Sequence, residues 1–86
     1  MITVGYTLEF IRAYDKLPNA LKEEVKGSIQ SFRDRKNHQR LKVHKLHGKY
    51  KDFFGFSVDR KYRIMFEWIS KNEALLHTVG DHTIYN

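Results

Sequence analysis

The side chains that can move protons or hold phosphate gather in the second half of the chain. His38, His44 and His47 share one stretch, and His77 and His82 share another. Imidazole titrates near neutral pH, so each is a candidate acid or base. Arg63 lies between the two groups and stays charged throughout the physiological range. Residues 33 to 51 carry Arg33, Arg35, Lys36, Arg40, Lys42, Lys45, Lys49 and Lys51 against Asp34 alone, which accounts for the whole net charge of +6 and leaves the rest of the chain close to neutral. Such a block attracts a polyanion, either nucleic acid or an acidic protein segment. The chain has no cysteine, which excludes disulfides, thiolate zinc sites and cysteine nucleophiles together. Asp52, Asp59, Glu67 and Asp81 show no clustered spacing, and their basic surroundings repel cations, so no metal site is expected.

These groups need a scaffold, and 86 residues are enough for one small domain, here taken as residues 1–86. With 41% apolar and 30% charged residues, the composition is globular. Six Phe, five Tyr and one Trp supply large buried areas to a modest core. Apolar runs are too short for a transmembrane span or a signal peptide, so the expected compartment is the cytoplasm.

Ile2 to Tyr6 is β-prone, and Thr7 suits a helix N-cap. Leu8, Phe10, Ile11, Tyr14 and Leu17 then recur at helical spacing. Pro18 stops that helix and suits the start of the next, in which Leu21, Val25, Ile29 and Phe32 predict a helix to about residue 36. Beyond Leu41 the period changes to two. Phe54, Phe56 and Val58 form one alternating set, and Tyr62, Ile64, Phe66 and Trp68 form another. Asp59-Arg60-Lys61 and Ser70-Lys71-Asn72 read as turns, and Ala74 to Gly80 as a third strand of a meander. The expected fold is α+β, of order β-α-α-β-β-β: a short N-terminal strand and a two-helix hairpin packed on one face of an antiparallel β-sheet. Leu21, Val25, Ile29, Phe54, Phe56, Ile64, Phe66 and Trp68 are the expected core. Arg63, Met65 and Glu67 then face away from the helices. With Leu75 and Val79 placed inward, His77 and Asp81 share the inward parity, and Leu76, Thr78, Gly80 and His82 join Arg63 on the open face.

Four segments in order carry a resemblance that spans nearly the whole chain: His44-Lys-Leu-His-Gly-Lys-Tyr-Lys51, Phe54-Gly-Phe-Ser-Val58, Tyr62-Arg-Ile-Met-Phe66 and Val79-Gly-Asp-His-Thr-Ile-Tyr85. Together they resemble the RelE/ParE superfamily of bacterial toxins. The resemblance implies the toxin of a type II toxin–antitoxin pair, with a small antitoxin protein as partner. In the RelE-like branch it implies a ribosome-dependent endonuclease that cuts mRNA in the A site, with no cofactor and no membrane contact.

Metal-free RNA cleavage uses the 2′-OH as nucleophile on the adjacent phosphate. It needs a base for that hydroxyl, an acid for the 5′-oxygen and fixed positive charge for the transition state. By resemblance, His82 is the leading acid or base and Arg63 the phosphate-gripping arginine, whose competing role is an ion pair with Glu67 on the same strand face. The resemblance places His44 as the base, Lys49 and Lys51 as lysines on the RNA backbone with Lys45 and Arg40 beside them, and Tyr85 as a C-terminal aromatic against the substrate. His47 and His77 are read as structural. Ser57 stands where some members carry a further catalytic histidine, so the site must work through Arg63, His82 and His44. Two other readings stay open: a ParE-like DNA gyrase poison, against which His82 argues, and an inactive module that only binds RNA or antitoxin.

Overall fold

The computed structural model describes residues 1–85, apart from the side chains of His82 and Tyr85. The chain runs β1 (Thr3–Tyr6), α1 (Leu8–Asp15), α2 (Asn19–Phe32), β2 (His44–Lys45), β3 (Phe54–Ser57), β4 (Tyr62–Ser70) and β5 (Glu73–Asp81). Short 3₁₀ turns occupy Arg35–Asn37, Gly48–Tyr50 and His82–Tyr85. The strands form one five-stranded sheet in the order β1-β5-β4-β3-β2.

Local chemistry sets the helix boundaries. Thr7 caps α1 by accepting the Phe10 amide at 3.0 Å, and its hydroxyl donates to the His77 carbonyl at 2.9 Å, so one residue starts the helix and ties it to β5. Pro18 precedes the first residue of α2 with an extended backbone, which suits a residue that cannot donate to the turn before it. The second helix stops at Phe32, short of the expected residue 36. Asp34 adopts an extended backbone and accepts the Lys36 amide at 3.1 Å, opening a new turn. Phe32 itself is fully buried, with its ring stacked 4.4 Å from Phe56.

Register fixes the two faces of the sheet. Phe56, Ile64 and Val79 sit in one cross-strand row, and Phe54, Phe66 and Leu76 in another. Both rows point to the helices and pack with Phe10, Val25, Ile29 and Phe32. Phe32, Phe56 and Phe66 are fully buried, and each contributes roughly 1.5–3 kcal/mol by leaving water. Of the others expected in the core, Phe54 and Trp68 are half-buried and pack against it, whereas Leu21 is half-buried outside the core cluster, a correction to the expectation.

The sheet differs from expectation in three ways. It is mixed rather than wholly antiparallel, because β1 pairs parallel with β5. Residues 44–45 add an edge strand that two residues of alternation could not announce. Strand β5 also carries a bulge: Met65 pairs with Thr78 and Phe66 with Leu76, which leaves His77 without a cross-strand partner. The extra residue resets the parity, so Leu76 and Val79 both face the core while Leu75 and His77 face away. The inward placement of Leu75 and His77 and the open-face placement of Leu76 are therefore corrected. The outward placement of Thr78 and Gly80 beyond the bulge agrees with the register.

Candidate functional site

The face turned away from the helices is built from alternate residues of the same strands. Ser57, Arg63 and Gly80 form one row across it, and Gly55, Met65 and Thr78 form the next, with His44 opposite Gly55 on β2. Arg63 and His44 therefore share this face, separated by two strand spacings, about 10 Å, and one pleat repeat. The row between them is covered rather than open: Gly55, Met65 and Thr78 are all buried.

Arg63 is half-buried and anchored. Its Nη1 donates to the Asp59 carbonyl at 2.6 Å and the Tyr62 carbonyl at 3.1 Å. Among the described residues, no hydrogen bond is made by its Nε or Nη2. The alternative role for Arg63 falls to another residue: Glu67 accepts instead from His77 Nε2 at 2.8 Å, with the Phe53 ring edge-on to the imidazole at 4.9 Å. His77 lies on the face turned away from the helices rather than on the inner one.

Asp59 organises the turn beneath Arg63. Its Oδ1 accepts the amides of Lys61 at 2.9 Å and Tyr62 at 2.6 Å. These bonds, that to Tyr62 foremost, and the nearby Arg63 charge hold its carboxyl below the usual 3.8. The Asp59-x-Lys61 turn spacing was visible in the sequence, but its link to the Arg63 backbone contacts was not.

His44 is exposed, and its Nδ1 lies 2.7 Å from the Lys42 carbonyl. A carbonyl only accepts, so Nδ1 carries a proton and Nε2 is the nitrogen left to act as base in the uncharged form of the ring. Lys42 gets its carbonyl there through a tight helical C-terminus. The Val43 amide bonds the His38 carbonyl at 3.0 Å and the Lys42 amide bonds Gln39 at 3.1 Å, the pairing that places the penultimate residue in the left-handed region. Lys42 has φ 58° at that point, where glycine is usual. His38 belongs to the scaffold: its Nε2 donates to the Phe32 carbonyl at 2.7 Å and its ring stacks 4.8 Å from Phe32.

The basic candidates line the outer edge of the sheet. Arg40, Lys45, Lys49 and Lys51 are exposed, with Lys45 on β2 and Lys49 in the 3₁₀ turn that follows it, its Nζ 5.2 Å from the Tyr50 ring centre. The Ser57 amide on the Leu41 carbonyl at 2.8 Å and the Leu46 amide on Phe53 at 3.0 Å bind this segment to β3. A charged edge strand also resists pairing with other chains, so these lysines have a protective role in any case. The side chains of His82 and Tyr85 lie outside the described residues; the backbone that carries them turns back at the end of β5, beside the Arg63 row. Among the described residues, no three His, Asp or Glu side chains gather as a metal site, and no helix is long and apolar enough to cross a membrane.

No protein-family profile matches the chain, and no curated protein matches it in sequence. Solved structures do. The RelBE2 toxin–antitoxin complex of Mycobacterium tuberculosis superposes with a TM-score of 0.78 at 18% identity, covering 94% of this chain and 98% of that one. The fold is that of the RelE/ParE-type toxins. YafQ from Escherichia coli matches with a TM-score of 0.74 at 12% identity over 98% and 97% of the two chains. The YoeB–YefM complex from Staphylococcus aureus matches at 0.72 and 9% identity over 95% and 98%. At these identities the agreement is one of backbone architecture, and the side chains of the site must carry the chemical argument.

Proposed function

We propose that this protein is the toxin of a type II toxin–antitoxin pair and that it cuts mRNA in the ribosomal A site without a metal or cofactor. The observation that carries this reading is Arg63, fixed through Nη1 on the sheet face turned away from the helices; in this reading the Nε/Nη2 edge of its guanidinium makes two parallel bonds to phosphate. In this mechanism His44 Nε2 takes the proton of the 2′-OH, and that oxygen attacks the adjacent phosphorus. Arg63 holds the charge that grows on the phosphoryl oxygens. His82 gives a proton to the departing 5′-oxygen, and Tyr85 lies against the substrate. Arg40, Lys45, Lys49 and Lys51 bind the RNA backbone leading to the site, and the acidic antitoxin competes for the same cations. The products are a 2′,3′-cyclic phosphate and a 5′-hydroxyl. Ser57, across from Arg63, takes no part in proton transfer.

Expression in a bacterial host tests the reading. The parent arrests growth, and co-expression of a neighbouring acidic antitoxin relieves the arrest. Arg63→Ala, which loses roughly a hundredfold or more in rate, and His82→Ala, which loses about 10²–10⁴-fold, are tolerated at equal protein level. Toxicity undiminished in both variants overturns the proposal. Toxicity with DNA gyrase trapped on DNA assigns the chain to the gyrase poisons, and a harmless parent that still binds antitoxin assigns it to the inactive modules.

A further inference from the structure

Strand β5 ends in a way the proposed chemistry does not by itself require. Gly80 pairs with Arg63, so a side chain at position 80 would stand on the open face beside the arginine. That place is already filled. A Cβ built on Gly80 collides with Ile84 Cγ2 and comes within 3.9 Å of Ile84 Cβ. The obstructing methyl is on a branched carbon and cannot swing clear as the tip of a long chain would. At Gly27 the same construction meets nothing within 4 Å. Glycine in a strand interior weakens the strand, and here it permits a close approach by another part of the chain.

The visiting segment is the 3₁₀ turn His82–Tyr85, which carries His82 and Tyr85. Asp81 starts it: Oδ1 accepts the Thr83 amide at 3.0 Å and the Thr83 hydroxyl at 2.5 Å. Ile84 is half-buried yet is not part of the core under the helices. Its contact is with the bare backbone of Gly80, on the opposite face of the sheet. We infer that Gly80 and Ile84 are positioning residues: the Ile84 side chain seats in the space left by Gly80 and holds the C-terminal turn, with His82 on it, over the Arg63 end of the open face. The inference rests on the nuclease reading for its consequence in activity, but the tether itself does not depend on that reading.

The test uses the full chain with Gly80→Ala, Ile84→Ala and the double variant. In Gly80→Ala, amide hydrogen exchange at residues 82–85 quickens while residues 62–79 keep the parent's protection, and the urea midpoint stays close to the parent's. Cleavage falls by about tenfold or more, up to the roughly 10²–10⁴-fold of losing an acid or base outright. Replacing His82 by Ala then costs much less in the Gly80→Ala background than in the parent, because the two changes remove one function. The double variant adds one methyl at position 80 and removes three side-chain carbons at position 84, the overlapping Cγ2 among them, so it cuts faster than Gly80→Ala alone. Unchanged exchange at 82–85 in Gly80→Ala overturns the tether. Faster exchange with undiminished cleavage overturns its role in activity. A parent in which His82→Ala has no effect on cleavage, with exchange behaving as stated, keeps the tether and removes the assignment of His82.

Discussion

Replacing Lys42 by glycine should stabilise the protein although it deletes a side chain. Lys42 sits at φ 58° in the residue position that ends a helical turn, with the amides of Lys42 and Val43 bonded back to Gln39 and His38. A residue with a Cβ loses roughly 1–2 kcal/mol in that region, because Cβ crowds the backbone oxygen. Glycine avoids the clash but gives up about 0.5–1 kcal/mol more in backbone entropy on folding. The difference favours Lys42→Gly by roughly 0.5–1 kcal/mol, and thinning the surrounding positive charge acts in the same direction. For a domain of this size a 1 kcal/mol gain raises the melting temperature by about 4–8 °C, so a rise of about 2–8 °C is expected. Lys42→Ala keeps the Cβ and should gain none of it. The assay is thermal unfolding of the three proteins side by side at matched salt. A Lys42→Gly protein that melts at or below the parent, or an alanine variant that gains as much, refutes the argument from backbone strain. Because glycine keeps the carbonyl that accepts from His44 Nδ1, Lys42→Gly should also leave the cleavage rate within a few-fold of the parent.

Two further outcomes follow from the same geometry. The Asp59 carboxyl is held below its usual 3.8 by the Tyr62 and Lys61 amides and by Arg63, so its charge supports the fold fully above that value, and the support is lost as pH falls through the lower folded value. Asp59→Asn keeps an acceptor oxygen but drops the charge: its urea midpoint should lie below the parent's at pH 7, and the gap should close as pH falls below 3.8. A gap that persists or widens in acid contradicts the assignment. Lys49 and Lys51, both exposed on the edge segment, should each contact about one phosphate of bound RNA, so neutralising both should flatten log K against log salt by up to about 1.5 for a single strand. An unchanged slope removes them from the RNA path.

The sequence made much of this architecture legible because period and burial agree. Val25, Ile29 and Phe32 recur at helical spacing and are buried, and Phe56, Ile64 and Phe66 alternate and are buried. Alternation also placed Arg63 correctly, since its strand is regular between Tyr62 and Met65. It failed on β5, where a bulge at His77 breaks the period: no residue type announces a bulge, and Leu75 and Leu76 compete equally for the core. The parallel pairing of β1 was hidden because Thr3 to Tyr6 records no partner, and its neighbour β5 is the last strand in the sequence, with both helices and three strands between them. Within the candidate site, residue types singled out Arg63 and His44, whereas the groups that orient them are backbone atoms: the carbonyls of Lys42, Asp59 and Tyr62. Backbone groups are common to all residues, so their roles emerge only from the fold. Gly80 carried a signal, a glycine inside an apolar strand, whose meaning required the position of Ile84.

The central claim is that Arg63 stabilises attack by the 2′-OH on the neighbouring phosphate. Its most direct test is the chemistry of the ends left on mRNA when purified protein is added to a programmed ribosome, compared between the parent and Arg63→Ala. The account predicts a 2′,3′-cyclic phosphate, or the phosphate formed by opening it, facing a 5′-hydroxyl, with Arg63→Ala slower by roughly a hundredfold or more. A 3′-hydroxyl facing a 5′-phosphate, or an Arg63→Ala protein that cuts as fast as the parent, would contradict it.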